Sequence, residues 1–171
     1  YAGVPLTARS TGAVHVVSLS SGKRVDLSAS VGDDVTLVLL GLPEQLEPAF
    51  ASLLSAGRAG ETPVAVTRGG TTTQQTTRET TLAEAAEALE GLEEPTLAVV
   101  GPTVAMRETL SWFETKPLYG WRVLIPRTKD QAGPMTKQLL GHGATSEVVP
   151  TISVEPPRTP QAVERAVRGL V

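Results

Sequence analysis

Val35-Thr36-Leu37-Val38-Leu39-Leu40-Gly41-Leu42-Pro43 decides the fold. Val35 to Leu40 is the longest apolar run in the chain, interrupted only by Thr36. Its length and its branched side chains read as a buried β-strand. Pro43 then suits the first turn of a helix, where a missing N–H is harmless. Leu42, Leu46, Ala49, Phe50, Leu53 and Leu54 follow at three- and four-residue spacings. That spacing makes one apolar helical face, and Gly57 is a natural cap beyond its end. A strand that feeds an amphipathic helix is the unit of an α/β fold.

The same reading extends in both directions. Val14 to Leu19 predicts a strand, and Ser20-Ser21-Gly22-Lys23 a turn. Pro63 to Thr67 predicts the next strand, broken at Gly69-Gly70. The Thr-rich stretch Thr71 to Thr80 reads as an extended hairpin arm, so the sheet is mixed and not purely parallel. Thr81 with Glu84 has capping-box spacing for a helix with the stripe Leu82, Ala85, Ala86 and Leu89. Thr96 to Val100 is a strand closed by Gly101-Pro102. Thr103 to Phe113 reads as a helix with Met106, Leu110 and Phe113 on one side. Lys116-Pro117-Leu118-Tyr119-Gly120 has the chemistry of a turn or domain junction. Beyond it the pattern restarts. Arg122 to Pro126 is a strand, and Gln131 to Leu140 a helix with Met135, Leu139 and Leu140 apolar. Glu147 to Pro150 and Ile152 to Val154 are extended, Pro156-Pro157 is a stop, and Pro160 opens a last helix.

Composition narrows the function. The 171 residues carry a net charge of −3, with 40% hydrophobic and 19% charged residues, which is globular usage. A mildly acidic chain poor in aromatics offers nucleic acid neither charge nor stacking surface. No run of about 18 apolar residues exists to cross a membrane. No secretory leader is visible, and zero cysteines exclude disulfides, thiolate metal sites and Cys nucleophiles. These features fit a cytoplasmic protein. The chain starts at Tyr1 and stops inside an apparent helix, so a fragment of a longer protein is expected.

Chemical candidates are few. His15 lies in an apolar strand and reads as a core or edge-strand histidine ahead of a catalytic base. His142, between two glycines at a helix end, suits the helix dipole better than catalysis. The pairs Asp33-Asp34 and Glu93-Glu94 sit in turns as solvated carboxylates, and no metal-ligand spacing emerges. Gly69-Gly70-Thr71-Thr72-Thr73 can let a ligand approach the backbone and offers hydroxyls. It lacks the lysine of a phosphate loop and the third glycine of a dinucleotide fingerprint, and a plain turn explains it equally well. Val38-Leu39-Leu40-Gly41 ends a strand where α/β sheets bind ligands. Arg127-Thr128 stands between a strand and a helix. It can take an anion on backbone N–H groups, or Thr128 or Asp130 can simply cap the helix.

Taken together, these segments resemble a known fusion. Tyr1-Ala2-Gly3-Val4-Pro5-Leu6-Thr7, Thr36 to Leu40, Thr62 to Val66, and Gly70-Thr71-Thr72 with Gln75 resemble the C-terminal half of tetrapyrrole methylases, of the uroporphyrinogen-III C-methyltransferase type. Leu110-Ser111-Trp112-Phe113 with Glu114 is similar to the end of that domain. Arg122 to Arg127, Gln131-Ala132, Gly143-Ala144 and Pro150-Thr151-Ile152 resemble the start of uroporphyrinogen-III synthase. The order of the two is similar to actinobacterial fusions. The resemblance implies a methylase C-terminal lobe with a mixed sheet over residues 1–115 and a linker over 116–121. The first β-α-β elements of a synthase-like domain then occupy 122–171.

What the family does follows as expectation. The resemblance implies that S-adenosylmethionine contacts Gly41, Leu42, Ala65, Gly70 and Thr71. Gly41 stands where the family has a methionine, and Gly70 is the glycine of its Gly-Thr motif. The synthase part implies no cofactor, and Arg127 and Thr128 would meet substrate carboxylates. The implied substrates are hydroxymethylbilane and uroporphyrinogen III, with a homodimer through the methylase part. No catalytic residue is assigned. Three signatures depart from the family: Thr7-Ala8-Arg9 for T-H-R, Ser18-Leu19-Ser20 for T-G-H, and Gly41 for methionine. They point to a degenerate methylase part, with the synthase as the surviving activity. The alternative is a non-catalytic module that binds or docks a tetrapyrrole or cofactor.

Overall fold

The computed structural model describes residues 1–19, 25–150 and 160–169. Its larger sheet has five strands: β1 (Ala13–Ser18), β2 (Val35–Gly41), β3 (Pro63–Arg68), β4 (Thr76–Thr81) and β5 (Thr96–Val100). They lie in the order β1-β2-β5-β3-β4. β1 runs parallel to β2, and β5 is antiparallel to both β2 and β3. β2 and β3 are therefore parallel to each other, joined by helix α1 (Pro43–Ser55), with β5 inserted between them. The β3–β4 hairpin makes the sheet mixed, as the Thr-rich arm predicts.

Alternation along the strands separates two cores. Leu37, Leu39, Val64, Val66, Ala98 and Val100 face α1 and meet its Leu46, Ala49, Phe50 and Leu53. Val38, Ala65 and Val99 face the other way, against Val104 and Val4. Of the predicted α1 stripe Leu46, Ala49, Phe50 and Leu53 are buried, while Leu42 precedes the helix as its half-buried N-cap and Leu54 is exposed. Gly57 follows the C-cap residue at φ +100°, which a side chain tolerates poorly.

Two predicted helices are shorter and tighter than their spacing suggests. Residues 82–89 form two single 3-10 turns, Leu82–Glu84 and Glu87–Leu89. The reason is competition for the backbone. Leu82 and Ala83 N–H donate to the Thr62 and Gly60 carbonyls, and Arg78 ties down the Ala88 and Glu90 carbonyls. Thr81 makes no side-chain bond to the backbone there. Residues 102–110 form a 3-10 segment, Pro102–Met106, and one helical turn, α2 (Arg107–Leu110). Of the predicted stripe only Phe113 is buried, while Met106 and Leu110 are exposed.

The smaller unit pairs β6 (Arg122–Ile125) parallel with β7 (Thr145–Val148) around α3 (Lys129–Gly141). Ala132 is buried, and Thr136 and Leu139 are half-buried, while the predicted Met135 and Leu140 are exposed. A final helix, α4, spans Pro160–Arg168. The predicted turn at Ser20–Lys23, the extended Ile152–Val154 and the Pro156-Pro157 stop lie outside the described residues.

Arg58 closes the larger unit at one end of the sheet. It is 2% exposed. Its guanidinium donates to the Ser30 carbonyl, to Val35 at 2.8 Å and to Val100 at 3.4 Å. These are the turn before β2, the first residue of β2 and the last of β5. Gly101, at φ +147°, passes so close that a Cβ would lie 3.0 Å from the Val35 carbonyl. Burial pushes the Arg58 pKa down, partly offset by Asp33. Arg58→Met keeps the volume and strands three carbonyls. It is expected to lose about 3 kcal/mol in denaturant unfolding, or roughly 6–12 °C of melting temperature. An unchanged midpoint would show that these carbonyls find other donors.

Candidate functional site

The register puts the ends of three strands together. Thr96, the first residue of β5, pairs with both Gly41, the last of β2, and Arg68, the last of β3. The carboxyl ends of β2 and β3 thus flank one point, where open α/β sheets offer ligands a crevice. A cavity of about 320 Å³ opens there. Its wall includes Leu40, Gly41, Thr67, Gly70, Thr71, Gln75 and Leu97, with Tyr1 and Ala2 at one side. Its volume sits at the low end for small-molecule sites. Apolar Leu40 and Leu97 share the wall with the polar Gly70–Thr71 loop, and an apolar lining with a few polar groups is the pattern of small-molecule sites.

Of the predicted residues, Gly41, Gly70 and Thr71 come together on this cavity. Leu42 and Ala65 do not line it. Ala65 is fully buried in the sheet. Leu42 is the N-cap of α1, and its N–H donates to Gln45 Oε1 at 2.9 Å. Gly41 contributes backbone alone. A Cβ on it would point away, to within 3.1 Å of Leu19 Cβ and 3.0 Å of Gln45 Oε1. The β2 residue whose side chain lies on the cavity is Leu40, 39% exposed. The strand-end segment Val38–Gly41 contains Leu40, and two-residue alternation singles it out, setting Leu37, Leu39 and Gly41 on one face and Val38 and Leu40 on the other.

The loop between β3 and β4 is held from within. Thr72 N–H donates to the Gly69 carbonyl at 3.1 Å, and Thr72 Oγ1 to the same oxygen at 2.7 Å. Thr71 N–H donates to Gln75 Oε1 at 2.8 Å. Gly70 borders open space: a Cβ there would have no protein atom within 4 Å. Behind the loop, Glu114 accepts from Gln75 Nε2 and Thr77 Oγ1, both at 2.7 Å, and from Arg107 Nη2 at 2.6 Å. Tyr119 donates its hydroxyl to the Gln75 carbonyl and packs edge-on against Phe113.

The other candidates stand apart. Arg127 is exposed, and Thr128 caps α3 through its carbonyl, which accepts from Gln131 and Ala132 N–H. Both belong to the smaller unit. His15 Nδ1 is 2.8 Å from Ser30 Oγ, a structural strand histidine. Glu93 and Glu94 are exposed, and among the described residues no cluster of three metal-ligating side chains occurs. A larger concavity, about 540 Å³, lies between α1 and Leu19, Val25 and Leu27. It contains none of the predicted site residues. No helix among the described residues is long and apolar enough to cross a membrane.

Comparison with known proteins bears on this geometry. No family model matches the chain. The siroheme synthase of Tolumonas auensis is 37% identical over 121 residues, which is 66% of this chain and 25% of that protein. A uroporphyrinogen-III C-methyltransferase of Sinorhizobium sp is 33% identical over 122 residues, 66% of this chain and 43% of that protein. The porphyrin biosynthesis protein HemD of Ruminiclostridium josui is 28% identical over 163 residues, 91% of this chain and 32% of that protein. Among solved structures, the Thermus thermophilus uroporphyrin-III C-methyl transferase complexed with S-adenyl homocysteine is 27% identical. Its TM-score is 0.52, over 60% of this chain and 48% of that one. In sequence and in fold the chain is thus similar to tetrapyrrole methylases. The methylase-like chain spans between 25% and 43% of the length of these curated relatives.

Burial pushes the Tyr119 phenol pKa up, as does the Glu114 carboxylate, while Arg68 pulls it down. A phenol raised on folding stabilises fully below its ordinary pKa of about 10, and that contribution fades as pH climbs through the raised value. Tyr119→Phe keeps a ring beside Phe113 and loses the titrating hydroxyl. Its melting temperature is expected to fall less steeply than that of the parent above about pH 10. Thermal melts across the alkaline range measure this, and parallel curves would contradict it.

Proposed function

We propose that residues 1–115 form the C-terminal lobe of an S-adenosylmethionine-dependent uroporphyrinogen-III C-methyltransferase, and that the cavity beside Gly70 and Thr71 takes the cofactor. The observation that carries this reading is the convergence of Gly41, Gly70 and Thr71 at the carboxyl ends of β2 and β3. The solved relative's complex with S-adenyl homocysteine supports it. The donor set fits such a ligand. Leu40 and Leu97 offer an apolar wall, and the Thr67 and Thr71 side chains and the loop backbone offer polar groups. When bound, the cofactor supplies an electrophilic methyl on sulfonium for transfer to a ring carbon. The chain's own residues bind and orient it.

Residues 122–171 are proposed as the start of a uroporphyrinogen-III synthase, which cyclises hydroxymethylbilane with loss of water. Arg127 and Thr128 would face the substrate's carboxylates. In support, the likeness to the Ruminiclostridium josui protein covers 91% of the chain, and so runs through β6, α3 and β7. A second reading, a module that binds without catalysing, is favoured by the departures at Ala8 and Gly41 from the family signatures.

Titration of the chain with S-adenosylhomocysteine, followed by amide chemical shifts, tests the cofactor reading. Shifts are expected at Gly70, Thr71 and Thr67. Gly70→Leu adds bulk at the cavity wall, where a Cβ meets no protein atom within 4 Å, and is expected to weaken binding at least about ten-fold with the melting temperature unchanged. Shifts scattered over the surface, or equal binding by the variant, would refute the assignment.

A further inference from the structure

Thr71 has φ +69°, the one positive value at a non-glycine among the described residues. A β-branched residue adopts this conformation only where its surroundings impose it. Thr72 closes the turn on the Gly69 carbonyl, and Gln75 holds Thr71 itself. The Gln75 side chain is nearly fully buried, and its Oε1 takes the Thr71 N–H at 2.8 Å. The amide can turn only one way. Glu114 Oε1 lies 2.7 Å from Gln75 Nε2, and a carboxylate accepts but does not donate, so the NH2 faces Glu114 and the oxygen faces Thr71. Glu114 is itself fixed by Arg107 Nη2 at 2.6 Å and by Thr77, while Arg107 Nη1 reaches Glu79 at 2.8 Å. Tyr119, from the segment that leads into β6, holds the Gln75 main-chain carbonyl.

We propose that Gln75 is a positioning residue of the cofactor pocket: oriented by Glu114, it locks Thr71 in its left-handed conformation and so preforms the Gly70–Thr71 edge. The proposal rests on the cofactor reading above for its ligand, but not for its geometry. Gln75 acts through the Thr71 backbone, and Glu114 acts through Gln75.

The test uses the 171-residue chain with Gln75→Leu, Gln75→Glu and the double substitution Gln75→Glu with Glu114→Gln, which swaps the two side chains. Hydrogen exchange at the Thr71 amide is read without ligand, and S-adenosylhomocysteine binding is read by titration. Gln75→Leu removes the acceptor, and Gln75→Glu sets two carboxylates against each other. Each is expected to speed Thr71 exchange and weaken binding by about ten-fold. The swap restores the donor–acceptor order. The amide, now at position 114, donates to the carboxylate at position 75 and to Thr77 Oγ1, whose hydroxyl turns to donate to Thr67, and its oxygen still accepts from Arg107. Both readings are expected to return to within about three-fold of the parent. Unchanged Thr71 exchange in Gln75→Leu overturns the positioning role, whether or not the ligand binds. A swap that melts like the parent but restores neither reading also overturns it. A parent chain that does not bind, with Thr71 exchange still governed by Gln75, overturns the cofactor reading alone.

Discussion

The five-stranded sheet depends on one buried cation. Arg58 leaves α1 just after Gly57 and turns inward, where its guanidinium meets carbonyls from three separate segments. β2 and β5 already run side by side in the ladder, and the guanidinium ties the Ser30 turn to the start of one and the end of the other. A guanidinium suits the place because its donors spread in a plane, and a single side chain can serve several acceptors. Charge is removed from water to do this, as the lowered pKa records. The compensation is that peptide oxygens at the start of β2 and the end of β5 are not left unpaired in the interior. With that end of the sheet tied, the opposite end is where the chain is free to spread into loops, and the cavity opens there.

Much of this order is written locally. The run Val35 to Leu40, the 3.6-residue stripe of α1 and the Thr-rich arm of the hairpin each declare themselves within a dozen residues, because burial and period are local signals. What escaped depends on distant partners. Nothing in Thr96 to Val100 says that the strand enters between β2 and β3 in the opposite sense; alternating strands and helices suggest a parallel neighbour. The helical stripe of residues 82–89 is real, yet their N–H groups are claimed by the Thr62 and Gly60 carbonyls. Arg58 looks like any surface arginine after a helix-ending glycine.

The candidate site divides along the same line. Gly70 and Thr71 are legible because a glycine pair ends a strand there. Gly41 is half legible: its place at the strand's end is right, but its missing side chain faces α1, and Leu40 reaches the cavity instead. The polar support behind the loop was invisible. Gln75, Glu114 and Arg107 are separated by up to dozens of residues, and only the folded chain shows that an amide, a carboxylate and a guanidinium meet.

The two outer strands of the sheet differ in a way that governs what this molecule does among its own copies. β4 presents Thr76, Arg78 and Glu79 to solvent, and charges on an outer strand repel a second sheet. β1, at the other side of the described sheet, carries no charge of that kind, and its Val16 is 64% exposed. Strand addition is therefore chemically one-sided: disfavoured along the hairpin, and tolerated along β1. A charge on that margin, as in Val16→Lys, would make the two edges alike without touching either core.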